Sequence, residues 1–137
     1  IAGDLGFGVF DEFINNFPGR YMNVGVCEQS MIGMAAGLAL EGFKPYIYTI
    51  TPFFERAFEQ IKLDVAHQNQ NVKMVGFADY PGLGPTHTEL DWRVLGETMP
   101  NLHCYFPTTR EDARKAIIQS YEHGRPTFIS LKKAKAL

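Results

Sequence analysis

The chain has 137 residues, 45% of them apolar and 20% charged, which suits one domain with its own core and fits neither a disordered nor a membrane-embedded chain. A net charge of −2 gives no basic footprint for nucleic acid or for an anionic membrane surface. Cys27 and Cys104 stand far apart, outside any CxxC or Cys/His cluster, which argues against a disulfide framework and against a zinc site.

Ile1 to Gly8 reads as an apolar, glycine-rich entry that encloses Asp4 in Gly3-Asp4-Leu5-Gly6. From Val9 to Phe17, Phe10, Phe13, Ile14 and Phe17 fall on one face of a short helix, which Pro18-Gly19 ends. Tyr21 to Val26 is expected as a short buried strand. A helix follows from about Glu28 to Leu40, with Gly33 and Gly37 one turn apart on one face and Gly42 as its stop. Each mid-helix glycine costs roughly 1 kcal/mol relative to alanine, so two stacked glycines suggest another backbone packing close against that face.

Pro45 to Ile50 is expected as a strand. Phe53 to Gln68 is expected as a helix with Phe54, Ala57, Phe58, Ile61 and Val65 as its apolar stripe. Val72 to Ala78 is almost wholly apolar, as in the middle of a parallel sheet. A loop over Asp79 to Thr88 carries Pro81, Gly82, Gly84 and Pro85; a helix over Glu89 to Thr98 and a strand over Leu102 to Phe106 follow. Thr108 and Glu111 have capping-box spacing for a helix to about Tyr121, lined inside by Ala113, Ala116, Ile117 and Tyr121. Thr127 to Leu131 is the final strand, and Lys132 to Leu137 a linker or tail. No apolar run approaches the ~20 residues of a bilayer span, and no basic-then-apolar signal peptide or initiator Met is present. A cytoplasmic setting, and a fragment of a larger protein, are the expectations.

Five β-α repeats without hairpin signals imply an α/β, three-layer sandwich: a mostly parallel sheet covered by helices on both faces. Ligands in such folds bind beyond the carboxyl ends of the strands. Three features meet that edge: Glu28, the Thr51-Pro52-Phe53 turn, and the Asp79–His87 loop. Glu28 sits between an apolar strand and a Gly/Ala-rich helix, where desolvation disfavours the charged form, as proton transfer near neutral pH requires. The plain alternative is a carboxylate that complements the helix dipole.

Asn23-Val24-Gly25-Val26-Cys27-Glu28-Gln29-Ser30-Met31-Ile32-Gly33-Met34-Ala35-Ala36-Gly37-Leu38-Ala39 resembles the pyrimidine-binding domain of transketolase-like thiamine diphosphate enzymes. The likeness continues through Gly42-Phe43-Lys44-Pro45, Phe53 to Ile61, Gly84-Pro85-Thr86-His87, Pro100-Asn101-Leu102 and Pro107, nearly the whole chain in order. It is strongest toward split, two-chain transketolases, with deoxyxylulose-phosphate synthase and the beta subunits of 2-oxo acid dehydrogenases as cousins.

The resemblance implies roles. Glu28 matches the glutamate that bonds N1′ of the aminopyrimidine and favours its imino tautomer, whose 4′-nitrogen removes the thiazolium C2 proton; the resulting ylide attacks a ketone donor. Phe53 matches the aromatic that stacks on the pyrimidine, and Ile50 stands where relatives often carry another aromatic. Arg56, one turn after Phe53, faces either the same site or solvent, and Gly25 allows close backbone approach or is simply a tight strand exit. His87 matches a histidine that lines the substrate channel. His67, His103 and His123 have no such match.

The pattern also departs from the family. The acid that usually precedes the Thr-His pair is missing, which leaves Tyr80 or Glu89 as substitutes and puts ordinary sugar-phosphate specificity in question. Gly3-Asp4-Leu5-Gly6 is not the Gly-Asp-Gly…Asn motif that holds Mg²⁺ and the diphosphate, so no metal ligand is expected from this chain. The single domain 1–137 is therefore expected to supply half a site, with the diphosphate-binding half on a partner chain or other regions, in a homo-oligomer, with dimers favoured. The readings are two-carbon ketol transfer from a ketose to an aldose, 2-oxo acid decarboxylation with acyl transfer, or a non-catalytic assembly module.

Overall fold

The computed structural model describes residues 1–132. Its centre is a sheet of four parallel strands, β1 (Tyr46–Thr49), β2 (Lys73–Phe77), β3 (His103–Tyr105) and β4 (Thr127–Leu131), in the order β1-β2-β4-β3. The register aligns Tyr46, Lys73, Thr127 and His103 in one row at the amino edge and Tyr48, Val75, Ile129 and Tyr105 two residues further on. β2 and β4 lie between other strands and are buried through their first four residues, as the continuous apolar runs require.

The Tyr21–Val26 strand does not form. Asn23 makes only an isolated parallel bridge to Ala2, and Ala2 makes another to Tyr48. The glycine-rich entry thus extends the sheet: Tyr48 N–H donates to the Ile1 carbonyl at 2.9 Å, and Gly3 N–H to that of Tyr48 at 3.1 Å. A left-handed Gly25 (φ +77°) breaks the extended run before Val26, so no longer ladder forms.

Helix α1 (Asp11–Asn16) buries none of its residues, and Phe13 and Phe17 remain 44% and 53% exposed, so the phenylalanine stripe is not a core face. Helix α2 (Glu28–Leu40) has the expected bounds. It buries Met31, Ile32, Ala35 and Ala36, and closes where Gly42 (φ +85°) lets Gly42 N–H and Phe43 N–H reach the Ala39 and Leu38 carbonyls. Gly33 and Gly37 face outward, and a Cβ on either would meet nothing within 4 Å. Nothing among the described residues supplies the close-packed neighbour their spacing suggests.

The 53–68 helix is a composite: Thr51–Ala57 winds as 3₁₀, α3 (Phe58–Gln60) is a short α segment, and Ile61–His67 widens to a π-helix. Its apolar stripe is as expected, with Phe54, Ala57, Ile61 and Val65 fully buried. Helix α4 (Trp92–Glu97) begins three residues after the expected start, at an Asp91 cap that accepts from Arg93 N–H. Helix α5 (Arg110–Glu122) is capped by Thr109 and Asp112, one residue past the expected Thr108–Glu111 pair, and Ser120 replaces the exposed Tyr121 on the inner face. The larger core lies on the α2 side, where Trp92 stacks on Phe128 at 4.2 Å and Phe54 meets Phe128 edge-on at 5.6 Å. Complete burial of each such side chain contributes about 1.5–3 kcal/mol. Of the expected tail, residues 133–137 lie outside the described residues.

Candidate functional site

Glu28 is the first residue of α2 and is only 4% exposed. The turn before it is set by Asn23, whose side-chain oxygen accepts from Gly25 N–H at 3.1 Å and Asp4 N–H at 3.0 Å, while its amide donates to the Asp4 carboxylate at 3.2 Å. Asp4 is thereby a structural partner of this turn. A Cβ on Gly25 would meet nothing within 4 Å, so its glycine answers to the positive φ. No side chain caps α2, although Cys27 Sγ donates to the Val24 carbonyl at 2.9 Å.

A carboxylate this buried needs a charged partner, because removing it from water is otherwise costly. Arg56 supplies it: Nη1 lies 3.2 Å from Glu28 Oε1, on a side chain that is itself 44% exposed. Both alternatives for Arg56 therefore hold at once, since the guanidinium faces the site from a solvent-lit position. Its cation also lies 4.2 Å from the Phe53 ring centroid. The 3₁₀ turn explains this stacking, because three residues per turn eclipse positions i and i+3. Phe53 and Arg56 share the outer line of the turn, while Phe54 and Ala57 share the buried one.

The turn is held to the sheet from beneath. Thr51 N–H donates to the Ala78 carbonyl at 3.2 Å, and Thr51 Oγ1 lies 3.2 Å from Ser130 Oγ. Gly76 on β2 makes room for this approach, since a Cβ there would come within 2.5 Å of Thr51 Oγ1 and 2.9 Å of Thr51 Cα. Ile50 is 5% exposed, so it is buried and adds no exposed face beside Phe53.

His87 completes the group. Its ring meets Phe53 in a T-shaped contact at 5.2 Å, and its Nδ1 lies 3.0 Å from Thr86 Oγ1. The loop is closed by Tyr80 N–H donating to the His87 carbonyl at 2.7 Å and pinned where Leu90 N–H donates to Glu55 Oε1 at 2.7 Å. Glu55 thus turns toward the loop, where the helical pattern has it facing away. Glu89 is engaged by Lys132 and by Ser130 Oγ at 3.4 Å. His103 and His123 pair with ring centroids 4.8 Å apart, His103 opening β3 at the amino edge opposite the site.

Glu28, Arg56, Phe53 and His87 therefore form one unbroken series of contacts, with Gly25 in the turn just before Glu28. Asn23, Glu55 and Gly76 hold the turns and the loop that carry them. The fit to a pyrimidine ring is chemical: one buried carboxylate for a ring nitrogen and one aromatic face for a planar ring, with open space at Gly25. Among the described residues no group of three or more His, Cys, Asp or Glu side chains would hold a metal ion.

Fold and site together define an α/β domain whose Glu28, Arg56, Phe53 and His87 cluster beyond the carboxyl ends of a parallel sheet, where ligands of such folds bind. The family described as "Transketolase, pyrimidine binding domain" matches residues 4–136. An apulose-4-phosphate transketolase subunit from Actinobacillus succinogenes is 37% identical over 123 residues, covering 87% of this chain and 40% of that protein. 6-Deoxy-6-sulfo-D-fructose transketolase subunit SqwH of a Clostridium species is 36% identical over 131 residues, 91% of this chain and 40% of that one. 1-Deoxy-D-xylulose-5-phosphate synthase of Aromatoleum aromaticum is 37% identical over 122 residues, 85% of this chain and 19% of its own length. Among solved structures, a split-gene transketolase described as an inactive beta4 tetramer superposes with TM-score 0.87 at 27% identity, covering 100% of this chain and 46% of that one. The chain belongs to the pyrimidine-binding domains of transketolase-like enzymes, and it spans less than half the length of these relatives.

Proposed function

We propose that this chain supplies the pyrimidine-binding side of a thiamine diphosphate-dependent enzyme that moves a two-carbon ketol unit from a ketose to an aldose. The observation that carries this reading is the contact series Glu28–Arg56–Phe53–His87 at the carboxyl edge of the sheet. In it Glu28 holds and returns a proton at the ring nitrogen N1′, in a position shielded from water where general acid–base exchange is efficient. Phe53 orients the pyrimidine by stacking, and Gly25 leaves room for the ring. His87 faces the substrate and bonds its hydroxyls. Thiamine diphosphate, when bound, supplies the nucleophile and electron sink for the carbanion.

The diphosphate and Mg²⁺ are held, in this reading, by a diphosphate-binding subunit or a further domain. Relatives named as transketolase subunits support a divided enzyme. Met34 and Leu40, 40% and 65% exposed, lie on the same α2 as the outward Gly33 and Gly37, which supports a homo-oligomer, a dimer in the simplest case. No helix among the described residues is long and apolar enough to cross a membrane, and we place the enzyme in the cytoplasm. The decisive experiment measures hydrogen exchange at C2 of thiamine diphosphate in the assembled enzyme. Glu28→Ala should abolish its acceleration, whereas near-wild-type exchange would remove Glu28 from the mechanism.

The similarity to deoxyxylulose-phosphate synthases favours one second reading, 2-oxo acid decarboxylation with acyl transfer. Supplying ketose and pyruvate donors to the same assembled enzyme separates the two.

A further inference from the structure

Arg56 does more than border the site. Its guanidinium occupies both features that the reading above assigns to the pyrimidine ring: it holds Glu28 Oε1 at 3.2 Å and stacks 4.2 Å over the Phe53 centroid. A guanidinium shares with an aminopyrimidine a planar, delocalised shape suited to an aromatic face. The same oxygen and the same ring face do not serve both at once.

The two partners differ in their freedom to separate. Glu28 is 4% exposed at the rigid start of α2, whereas the Arg56 side chain is 44% exposed and has water beside it. The turn that carries Arg56 is fixed to β2 and β4 through Thr51 and its contacts with Ala78, Ser130 and Gly76. Exchange is therefore a rotation of the long arginine side chain, with the backbone of Thr51–Ala57 staying in place. A buried carboxylate tolerates loss of its counter-ion only if another donor replaces it. Protonation removes this requirement: as Arg56 leaves, Glu28 takes one proton from water and its carboxyl O–H donates to the ring nitrogen N1′.

We propose that Arg56 is a displaceable placeholder for the pyrimidine: a positioning residue that keeps Glu28 and Phe53 arranged, and rotates out to water as the ring enters and Glu28 is protonated. This rests on the assignment of Glu28 and Phe53 as pyrimidine contacts. The strength of the ion pair then limits the rate of cofactor association.

The test uses the complete protein that carries this chain, assembled with its diphosphate-binding part, mixed with thiamine diphosphate and Mg²⁺ in stopped flow. Arg56→Ala should raise the association rate by about tenfold without weakening binding. Millimolar guanidinium should slow it again in that variant, where equal sodium chloride does not. Arg56→Lys, which keeps the charge without the planar fork, should lie between. An unchanged or slower association in Arg56→Ala, or binding weakened severalfold, would make Arg56 a direct holder of the ring and overturn the proposal. Arginine side-chain ¹⁵N resonances give a readout independent of turnover: the Arg56 signal should move in the same direction on adding cofactor and on Glu28→Gln. Movement with Glu28→Gln but none with bound cofactor refutes displacement alone. If the assembled wild type binds no thiamine diphosphate, the pyrimidine assignment fails, and the proposal with it.

Discussion

Gly76 on β2 and Thr51 at the head of the 3₁₀ turn approach so closely that a Cβ on the glycine would lie 2.9 Å from the threonine Cα. That contact sets the height of the turn above the sheet, and so the positions of Phe53 and Arg56. Gly76→Ala should destabilise the protein by about 1–3 kcal/mol, the usual range for forcing a methyl group into a filled space. Because the clash reaches backbone, trimming the side chain with Thr51→Gly should not restore stability. Thermal or urea unfolding of the single and double variants measures this, and full recovery in the double variant would show that only the Thr51 side chain, not its backbone, was in the way.

How much of this is legible in the sequence divides along a physical line. The bounds of α2, β2 and β4 are written in local patterns: a stripe of apolar residues closed by Gly42, and unbroken apolar runs for strands covered on both faces. Glu28, Phe53, Arg56 and His87 stand out because strand ends converge on one edge and because the residues around them resemble a family. Asn23, Glu55 and Gly76 do not stand out as positioning residues. The roles of two of them exist only across long separations, Gly76 to Thr51 and Glu55 to Leu90, which periodicity does not report. Asn23 has a local signal, an Asx residue two before a glycine, that points to a side chain closing its own turn. The phenylalanines of α1 mislead because helical spacing marks a face without saying what covers it.

The Glu28–Arg56 pair should show itself as a coupling. Breaking a buried pair by removing one partner strands the other, while surface pairs contribute little; this pair, with one partner half in water, should fall between, at about 1–2 kcal/mol. Arg56→Ala is expected to destabilise the otherwise wild-type protein and to have a much smaller effect in a Glu28→Gln background. A double-mutant cycle by urea unfolding gives the interaction energy directly. Equal effects of Arg56→Ala in both backgrounds would mean that the 3.2 Å contact contributes nothing.

Glu55 should govern the order of the His87 loop. Its Oε1 accepts from Leu90 N–H at 2.7 Å, and a backbone hydrogen bond to a charged acceptor contributes roughly 1.5–3 kcal/mol. In Glu55→Ala the Leu90 amide should exchange with solvent at least about tenfold faster, since each 1.4 kcal/mol is a factor of ten. Amides in β2 and β4 should keep their protection. Hydrogen exchange followed by NMR reads both, and an unaltered Leu90 rate would assign the loop's order to the Tyr80–His87 backbone bond alone.

Lys73 offers a pH signature unrelated to the site. It is fully buried, with Tyr46 and Thr127 as its neighbours in the amino-edge row, and its Nζ donates to the Arg125 carbonyl at 2.5 Å. Burial, and then the charge of Lys44, lower its pKa from 10.5 to about 8. Between these two values the unfolded chain binds the proton and the folded protein does not. Stability should therefore rise with pH from about 8 toward 10.5, the penalty being fully present below 8 and amounting to about 3 kcal/mol. Tyr46 and Tyr48, whose pKa values burial raises above 10, act in the opposite sense at the alkaline end, so the rise is clearest below pH 10. His123, held below 6.5 by burial and then by Lys73 and His103, adds a smaller loss of the same sign in acid. Lys73→Met should be neutral or stabilising at pH 7, because an apolar chain of similar length replaces an ammonium that has no carboxylate partner among the described residues. Urea unfolding across pH 7 to 9.5 measures both quantities: wild type should gain stability over that range and Lys73→Met should not. A flat wild-type profile would mean that the bond to Arg125 and the C-terminal end of α5 fully offset the burial of the charge.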